Sequence, residues 1–290
     1  MRVVFWNIRH GGGVRTAAIA RQMRAWSADA VALCEFRGTP PSAELARALA
    51  DLGLAYQCTT ADTTRPAVNG LLLASRWPFR RLRLPTAPAE PARWLLARIQ
   101  APGPLVVGVM HVPNRVSGRK YPYLDAVLET ARRTWPGPAL FLGDTNSGCI
   151  GVDEQVPAFN RIEDGWMRGL HQAGWTDAFR HLRGESRAYT WYSPNGGNGF
   201  RIDQAFLNAH LRDRLHGFRY DWGRRDRTRP GRGASDHAAM VLDLHAYRGA
   251  ACAGWAPVAT IGLAAARREG AIAAPARGPR ASGWRPRRPS

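Results

Sequence analysis

The chain has 290 residues, is 45% hydrophobic and carries a formal net charge of +19. That length supports one large core, hence one catalytic domain with an appendage. No apolar run reaches the roughly 18 residues of a membrane span. The start Met1-Arg2-Val3-Val4-Phe5 lacks the apolar stretch of a secretory signal. Cys34, Cys58, Cys149 and Cys252 stand apart without a CxxC pair, which argues against a zinc site and a dense disulfide framework. A cytoplasmic protein without stable membrane insertion is expected, and nothing implies a protein partner. The basic excess favours polyanions, nucleic acid foremost. Because Lys120 is the single lysine, the arginine skew also has a source in coding bias, which weakens that inference.

Val3 to Asn7 reads as a strand, the glycines at 11 to 13 break it, and Thr16 to Trp26 has apolar residues at helical spacing. Ala30 to Glu35 reads as a second buried strand. Ser42 is placed as the cap of a helix burying Leu45, Leu49 and Leu52. From Leu54 on, candidate strands follow one another without a clear helix at Tyr56 to Thr59, Gly70 to Ser75, Leu95 to Gln100 and Leu105 to His111, a texture that predicts meanders. Lys120 to Arg133 reads as a helix, and Ala139 to Gly143, Arg201 to Leu207 and Ala238 to Leu244 as strands. Past Tyr247 the composition turns to Ala, Gly, Pro and Arg. The expectation is a catalytic domain over residues 1–247 and a basic, disordered tail over 248–290, with a brief helix at Gly262 to Arg268. The rhythm predicts two packed sheets with helices outside and a site where strand ends meet.

Polar residues end the predicted strands where apolar ones or turn formers are expected: Asn7, Glu35, His111, Asp144 with Asn146, Asp203, and Asp236 with His237. Each alone has an ordinary structural reading. Asn7 and Asp144 suit turns, Glu35 a salt bridge or helix cap, and His111 a core imidazole bonded to a carbonyl. As a set they are chemically coherent. Carboxylates and an amide oxygen suit a hard divalent cation, and histidines donate to phosphate oxygens or protonate a leaving group.

Taken in chain order, Phe5-Trp6-Asn7-Ile8, Cys34-Glu35, the Gly70 to Pro78 segment, Met110-His111, Gly143-Asp144-Thr145-Asn146, Arg201-Ile202-Asp203 and Ser235-Asp236-His237 resemble the endonuclease/exonuclease/phosphatase superfamily, which includes exonuclease III and deoxyribonuclease I. The resemblance covers residues 2 to about 245 and implies an α/β fold, a four-layered α/β/β/α sandwich. Cys34 and Thr145 depart from the residues common at their places, and neither is a proposed ligand. The resemblance implies Mg²⁺ or Mn²⁺ bound by Glu35, with Asn7 beside it and Asp236 contributing. Asp144 becomes the base that activates water, Asn146 holds the water or a phosphate oxygen, and His237, oriented by Asp203, donates to the non-bridging oxygen. His111 is placed near the leaving group.

Nucleic acid is the leading substrate, with candidate phosphate or base contacts at Lys120, Trp191, Arg201, Arg225 and Arg229. The alternative is a phosphatase or a phospholipid or small-molecule phosphodiesterase with the same catalytic set. For the lipid case Trp77-Pro78-Phe79 is the one apolar turn to inspect. A binding module that has lost catalysis is disfavoured by the intact carboxylates.

Overall fold

A computed structural model of the chain describes residues 1–223 and 233–246. The tail expected over 248–290, its brief helix, and Arg225 and Arg229 lie outside the described residues. Strand β1 (Arg2–Asn7) leads through a glycine turn to α1 (Thr16–Trp26), then β2 (Ala30–Phe36) and α2 (Pro40–Asp51). Helix α2 is capped one turn earlier than its sequence predicts: Thr39 is the N-cap, two prolines follow, and Ser42 is buried with its hydroxyl on the Gly11 carbonyl. Prolines are well placed there, since the first helical N–H groups have no intrahelical acceptor. Strands β3 (Tyr56–Thr59), β4 (Gly70–Ser75), β5 (Phe79–Leu82), β6 (Trp94–Ile99) and β7 (Leu105–His111) come next, and then α3 (Lys120–Ala131) and β8 (Ala139–Asp144). After these come α4 (Arg161–Gln172), β9 (Thr176–Asp177), α5 (Ala178–Arg183) and the short pair β10 (Trp191–Tyr192) and β11 (Gly199–Phe200). The chain closes with β12 (Asp203–Leu207), α6 (Ala209–Arg212), β13 (Leu215–Asp221) and β14 (Ala239–Leu244).

The expected meander divides between two sheets. One six-stranded sheet has the order β13-β14-β1-β2-β4-β3, the other β5-β6-β7-β8-β12-β9. The parallel pairs β1/β2 and β7/β8 are each joined by a helical crossover, as parallel strands require. The apolar side chains alternate accordingly. Val3 and Phe5 of β1, Ala32 and Cys34 of β2, Val107 and Val109 of β7, and Leu140 and Leu142 of β8 fill the core between the sheets. Val4, Trp6, Val31 and Leu33 face the other way, onto Ile19, Met23, Leu45 and Leu49 of α1 and α2. On the far side, Trp166 of α4 meets Phe206 edge-on at 5.8 Å. The result is the expected α/β/β/α layering. Trp77 and Phe79 pack against the intersheet core, so that turn is no exposed apolar hairpin. Among the described residues no helix is long and apolar enough to cross a membrane.

Two glycines test this packing with opposite signs. On Gly143 of β8 a Cβ would fall 1.9 Å from the Met110 carbonyl oxygen of β7, whereas on Gly165 of α4 it would meet nothing within 4 Å. Gly143→Ala is expected to cost about 2–3 kcal/mol, a fall in Tm of roughly 4–12 °C. Gly165→Ala is expected to gain about 0.5–1 kcal/mol by removing backbone freedom from the unfolded helix segment. Thermal unfolding of the two variants beside the parent checks both.

Candidate active site

The polar residues stand where the intersheet core runs out. Asn7, His111, Asp144 and Asp203 continue the inward-facing alternation of β1, β7, β8 and β12 by one more step. Strand periodicity therefore aims all four into the space between the sheets. Asp144 and Asp203 are also direct cross-strand partners. Glu35 falls on the wrong parity, but the β2/β4 register shifts between Cys34 and Phe36, and Glu35 adopts φ 57°. A bulge of this kind re-aims one side chain, at a cost on the order of 1 kcal/mol for a non-glycine residue in the left-handed region.

Within the cleft the Asn7 amide nitrogen donates to Asp144 Oδ2 at 3.0 Å, lies 3.4 Å from Glu35 Oε1 and 3.5 Å from His237 Nε2. His237 Nδ1 meets Asp203 Oδ2 at 2.9 Å. His111 Nε2 is 3.9 Å from Asp144 Oδ2, and the Asn146 N–H donates to Asp144 Oδ1 at 3.0 Å. Surrounding groups fix these positions. Ser235 donates to the Asn7 carbonyl at 2.6 Å and accepts from the His237 N–H, Trp6 Nε1 donates to the His237 carbonyl, and Thr190 Oγ1 accepts from the Asp203 N–H.

The electrostatics follow from burial and neighbours. Burial pushes Asp144 up to about 7, with Asp203 adding to the rise and His237, the Asn146 N–H and Asn7 opposing it. Burial disfavours the His237 cation, yet Asp203, by charge and hydrogen bond, and then Asp144 outweigh it and raise the imidazole to about 9. His111 is held neutral by burial, with Arg93 and His237 acting the same way. Both His111 Nδ1 and Asp203 Oδ1 are buried without a hydrogen-bond partner.

Atoms of Asp144, Asp203 and His237 lie within 4.8 Å of one another, close enough to hold a divalent metal. His237 and Asp203 are, however, engaged with each other through a proton, which an imidazolium cannot share with a cation. Oxygen donors suit a hard ion better. Those on offer are Asp144 Oδ2, Asp203 Oδ1, the Glu35 carboxylate, which also accepts the His10 N–H at 2.7 Å, and the second lone pair of Asn7 Oδ1, whose first accepts from the Arg9 N–H. Asp236 sits at the rim, its side chain 40% exposed and 3.8 Å from Arg9 Nε.

The structure thus gathers Asn7, Glu35, His111, Asp144, Asn146, Asp203 and His237, with Asp236 at their edge. Trp191 is at the rim too, in a bridge to His237 with the rings 6.2 Å apart. Two expected substrate contacts are corrected. Arg201 is fully buried, clamped on Asp153 at 2.7 and 3.0 Å and on Asp177 at 2.8 Å. Lys120 is 2% exposed and bound to Glu163 and the Asn146 carbonyl. Both charges are answered by partners inside the protein. Arg93, which the sequence reading passed over, is half-buried, donates to the His111 carbonyl at 3.3 Å and, among the described residues, has no carboxylate in an ion pair. The signal was a lone arginine entering the apolar strand β6.

The histidine shift has a definite sign. A folded pKa raised to about 9 from 6.5 gives stability that is complete below pH 6.5 and lost as the pH rises through 9. Asp144, raised to about 7 from 3.8, costs stability progressively between those values, so both make the metal-free protein less stable as pH rises. Removing the Asp203 charge takes away the largest influence opposing burial and leaves only Asp144 and Asp236 against it. His237 in metal-free Asp203→Asn is expected to titrate well below its parent value, measured by NMR of the imidazole resonances.

In fold the chain is similar to an AP endonuclease from Archaeoglobus fulgidus, with TM-score 0.69, 18% identity, and 84% of this chain and 99% of that one covered. A 3′ phosphatase, NExo, from Neisseria, solved bound to a product DNA hairpin, gives TM-score 0.66 at 20% identity with the same coverage. The 3′-5′ exonuclease NExo from Neisseria meningitidis gives 0.65 at 21%, again over 84% and 99%. No curated protein matches in sequence. The model of the Endonuclease/Exonuclease/phosphatase family matches residues 4–237, a span holding every residue of the polar cluster, and the chain belongs to that family.

Proposed function

We propose that this chain is a divalent-metal-dependent phosphoric ester hydrolase that cuts nucleic acid phosphodiester bonds by in-line attack of water. The carrying observation is the pairing of a buried aspartate raised to about 7 with a histidine raised to about 9 at the polar end of the intersheet core. An acid near neutrality is a usable base, and a protonated imidazole beside it is a usable donor.

Glu35 and Asn7 would hold Mg²⁺ or Mn²⁺, with Asp236 contributing from the rim; the ion supplies Lewis-acid stabilisation of charge on the phosphoryl oxygens and the leaving oxygen. Asp144 Oδ2 orients water and takes its proton, while Asn146 keeps Oδ1 occupied through its backbone N–H. His237, held in one tautomer by Asp203, donates from Nε2 to a non-bridging oxygen as negative charge grows. Neutral His111 has one N–H to give near the leaving group. Arg93, with no ion-pair carboxylate among the described residues, suits a substrate phosphate.

The basic excess of the chain and the DNA named with one structural relative support nucleic acid. The partial burial of Trp77 and Phe79 against the intersheet core weighs against the lipid reading. The test is purified protein with Mg²⁺ or Mn²⁺ on plasmid, abasic duplex, RNA, nucleotides and phospholipid, with EDTA as control. Cleavage of a nucleic acid that EDTA abolishes and either ion restores is expected; turnover confined to monoesters or lipids would move the assignment to the phosphatase or lipid alternative. Asp144→Asn and His237→Ala are each expected to lower kcat by roughly two to four orders of magnitude without loss of fold. Arg93→Met is expected to raise KM and to reduce the salt dependence of binding by about one phosphate.

A further inference from the structure

Beside the cleft lies a buried ion cluster. Lys120, in the first turn of α3, donates to Glu163 Oε1 and to the carbonyl oxygen of Asn146. Glu163, in the first turn of α4, is fully buried. It also receives the Arg115 guanidinium through two hydrogen bonds of 2.8 and 2.7 Å and the Asn160 N–H at 3.0 Å. Arg115 continues to the Ala158 carbonyl. The loop after β7, the starts of α3 and α4, and the turn after β8 therefore meet around one carboxylate.

Asn146 is where this cluster touches the site. It holds φ 45°, a conformation that asparagine tolerates at a cost and that persists only when its surroundings fix it. Its N–H is on Asp144 Oδ1 at 3.0 Å and its side-chain amide donates to the Val112 carbonyl at 2.8 Å. Lys120 supplies the remaining tether, on the carbonyl. With all three points held, Asp144 Oδ1 stays occupied and Oδ2 alone is presented to Asn7 and His111.

We infer that Lys120 and Glu163 are positioning residues: together they pin Asn146 in its left-handed conformation and so set the orientation of the Asp144 carboxylate. This rests on the hydrolase reading above. A phosphate-binding lysine would be exposed and unpaired, whereas Lys120 is covered and its charge is answered by Glu163. The excess positive charge of the cluster sits on Arg115, whose side chain is 45% exposed.

The experiment compares the parent with Lys120→Met, Glu163→Gln and the double variant, with Tm measured throughout. In Lys120→Met the Glu163 carboxylate keeps its Arg115 partner, and the double variant removes both buried charges together, so these two fold even where Glu163→Gln, which strands the Lys120 charge, does not. Lys120→Met and the double variant are expected to lose about 10- to 100-fold in kcat, the effect of a small misplacement in the site. KM and the salt dependence of binding should stay near parental values. Amide hydrogen exchange over residues 144–147 is expected to quicken in Lys120→Met more than in the strands around it.

A higher KM with a salt dependence reduced by about one phosphate would overturn the inference and make Lys120 a substrate contact. Unchanged kcat or unchanged exchange would overturn it as well. A parent that hydrolyses none of the substrates would instead defeat the hydrolase reading, and the exchange measurement would then decide alone whether Lys120 holds Asn146.

Discussion

The hydrogen bond from His237 Nδ1 to Asp203 Oδ2, 2.9 Å, ties the two sheets together at their polar end, beside the one from Asn7 to Asp144 Oδ2. His237 leads into β14 of the first sheet and Asp203 opens β12 of the second, so the bond spans the same gap that the hydrophobic core fills farther in. Its partners are fixed from behind by backbone contacts, with Ser235 and Trp6 on the histidine segment and Thr190 and Tyr220 on the aspartate. If one of these strands slipped by one residue against its neighbours in the sheet, alternation would turn its polar groups out of the gap. The core that sets the register of each sheet is therefore also what assembles the site.

This construction has a cost. Buried polar groups without partners are expensive, and the cleft retains two, His111 Nδ1 and Asp203 Oδ1. It also holds Glu35 and Asn146 in left-handed backbone. Deviations of this kind persist where function depends on them and the surroundings over-determine them. Each lies in the cleft, while the apolar strands that support it alternate cleanly. The cleft thus gathers strain and unsatisfied capacity where a substrate and a cation would use them, although Ser27 at the end of α1 is left-handed too and Trp166 Nε1 is also buried without a partner.

Much of this was legible in the sequence, for a physical reason. Asn7, His111 and Asp144 end long apolar strands whose period of two fixes which face they take, so their convergence follows from alternation alone. Glu35 was legible as an oddity but not in its direction, because a bulge overrides parity. His237 precedes its strand, and no periodicity reaches it. Lys120 and Arg201 were misread because the sequence shows a charge but not its distant partner: Glu163 and Asp153 lie 43 and 48 residues away along the chain. Helix α4 escaped notice although Asn160 and Glu163 form a capping box there, a local signature obscured by the glycines within the helix. Strand β13 was missed because its exposed, charged positions dilute the alternation.

The same comparison shows how a strongly basic chain keeps reactive carboxylates. Asp153 and Asp144 are both buried aspartates, and burial pushes both upward. Asp153 nevertheless ends below the ordinary range because Arg201 and Arg180 overcome burial. Asp144, with no arginine against it, stays near 7. Elsewhere arginines are spent on internal pairs, such as Arg2 with Asp243, Arg76 with Asp29 and Arg115 with Glu163. Among the described residues none forms an ion pair with Glu35, Asp144 or Asp203. An arginine placed there would lower the basicity of Asp144 and fill the space a cation needs. The cleft thus offers unneutralised oxygens to a cation, while the excess positive charge of the chain would attract a polyanion; keeping arginine out of ion pairs with these carboxylates is what makes the two compatible in one basic protein.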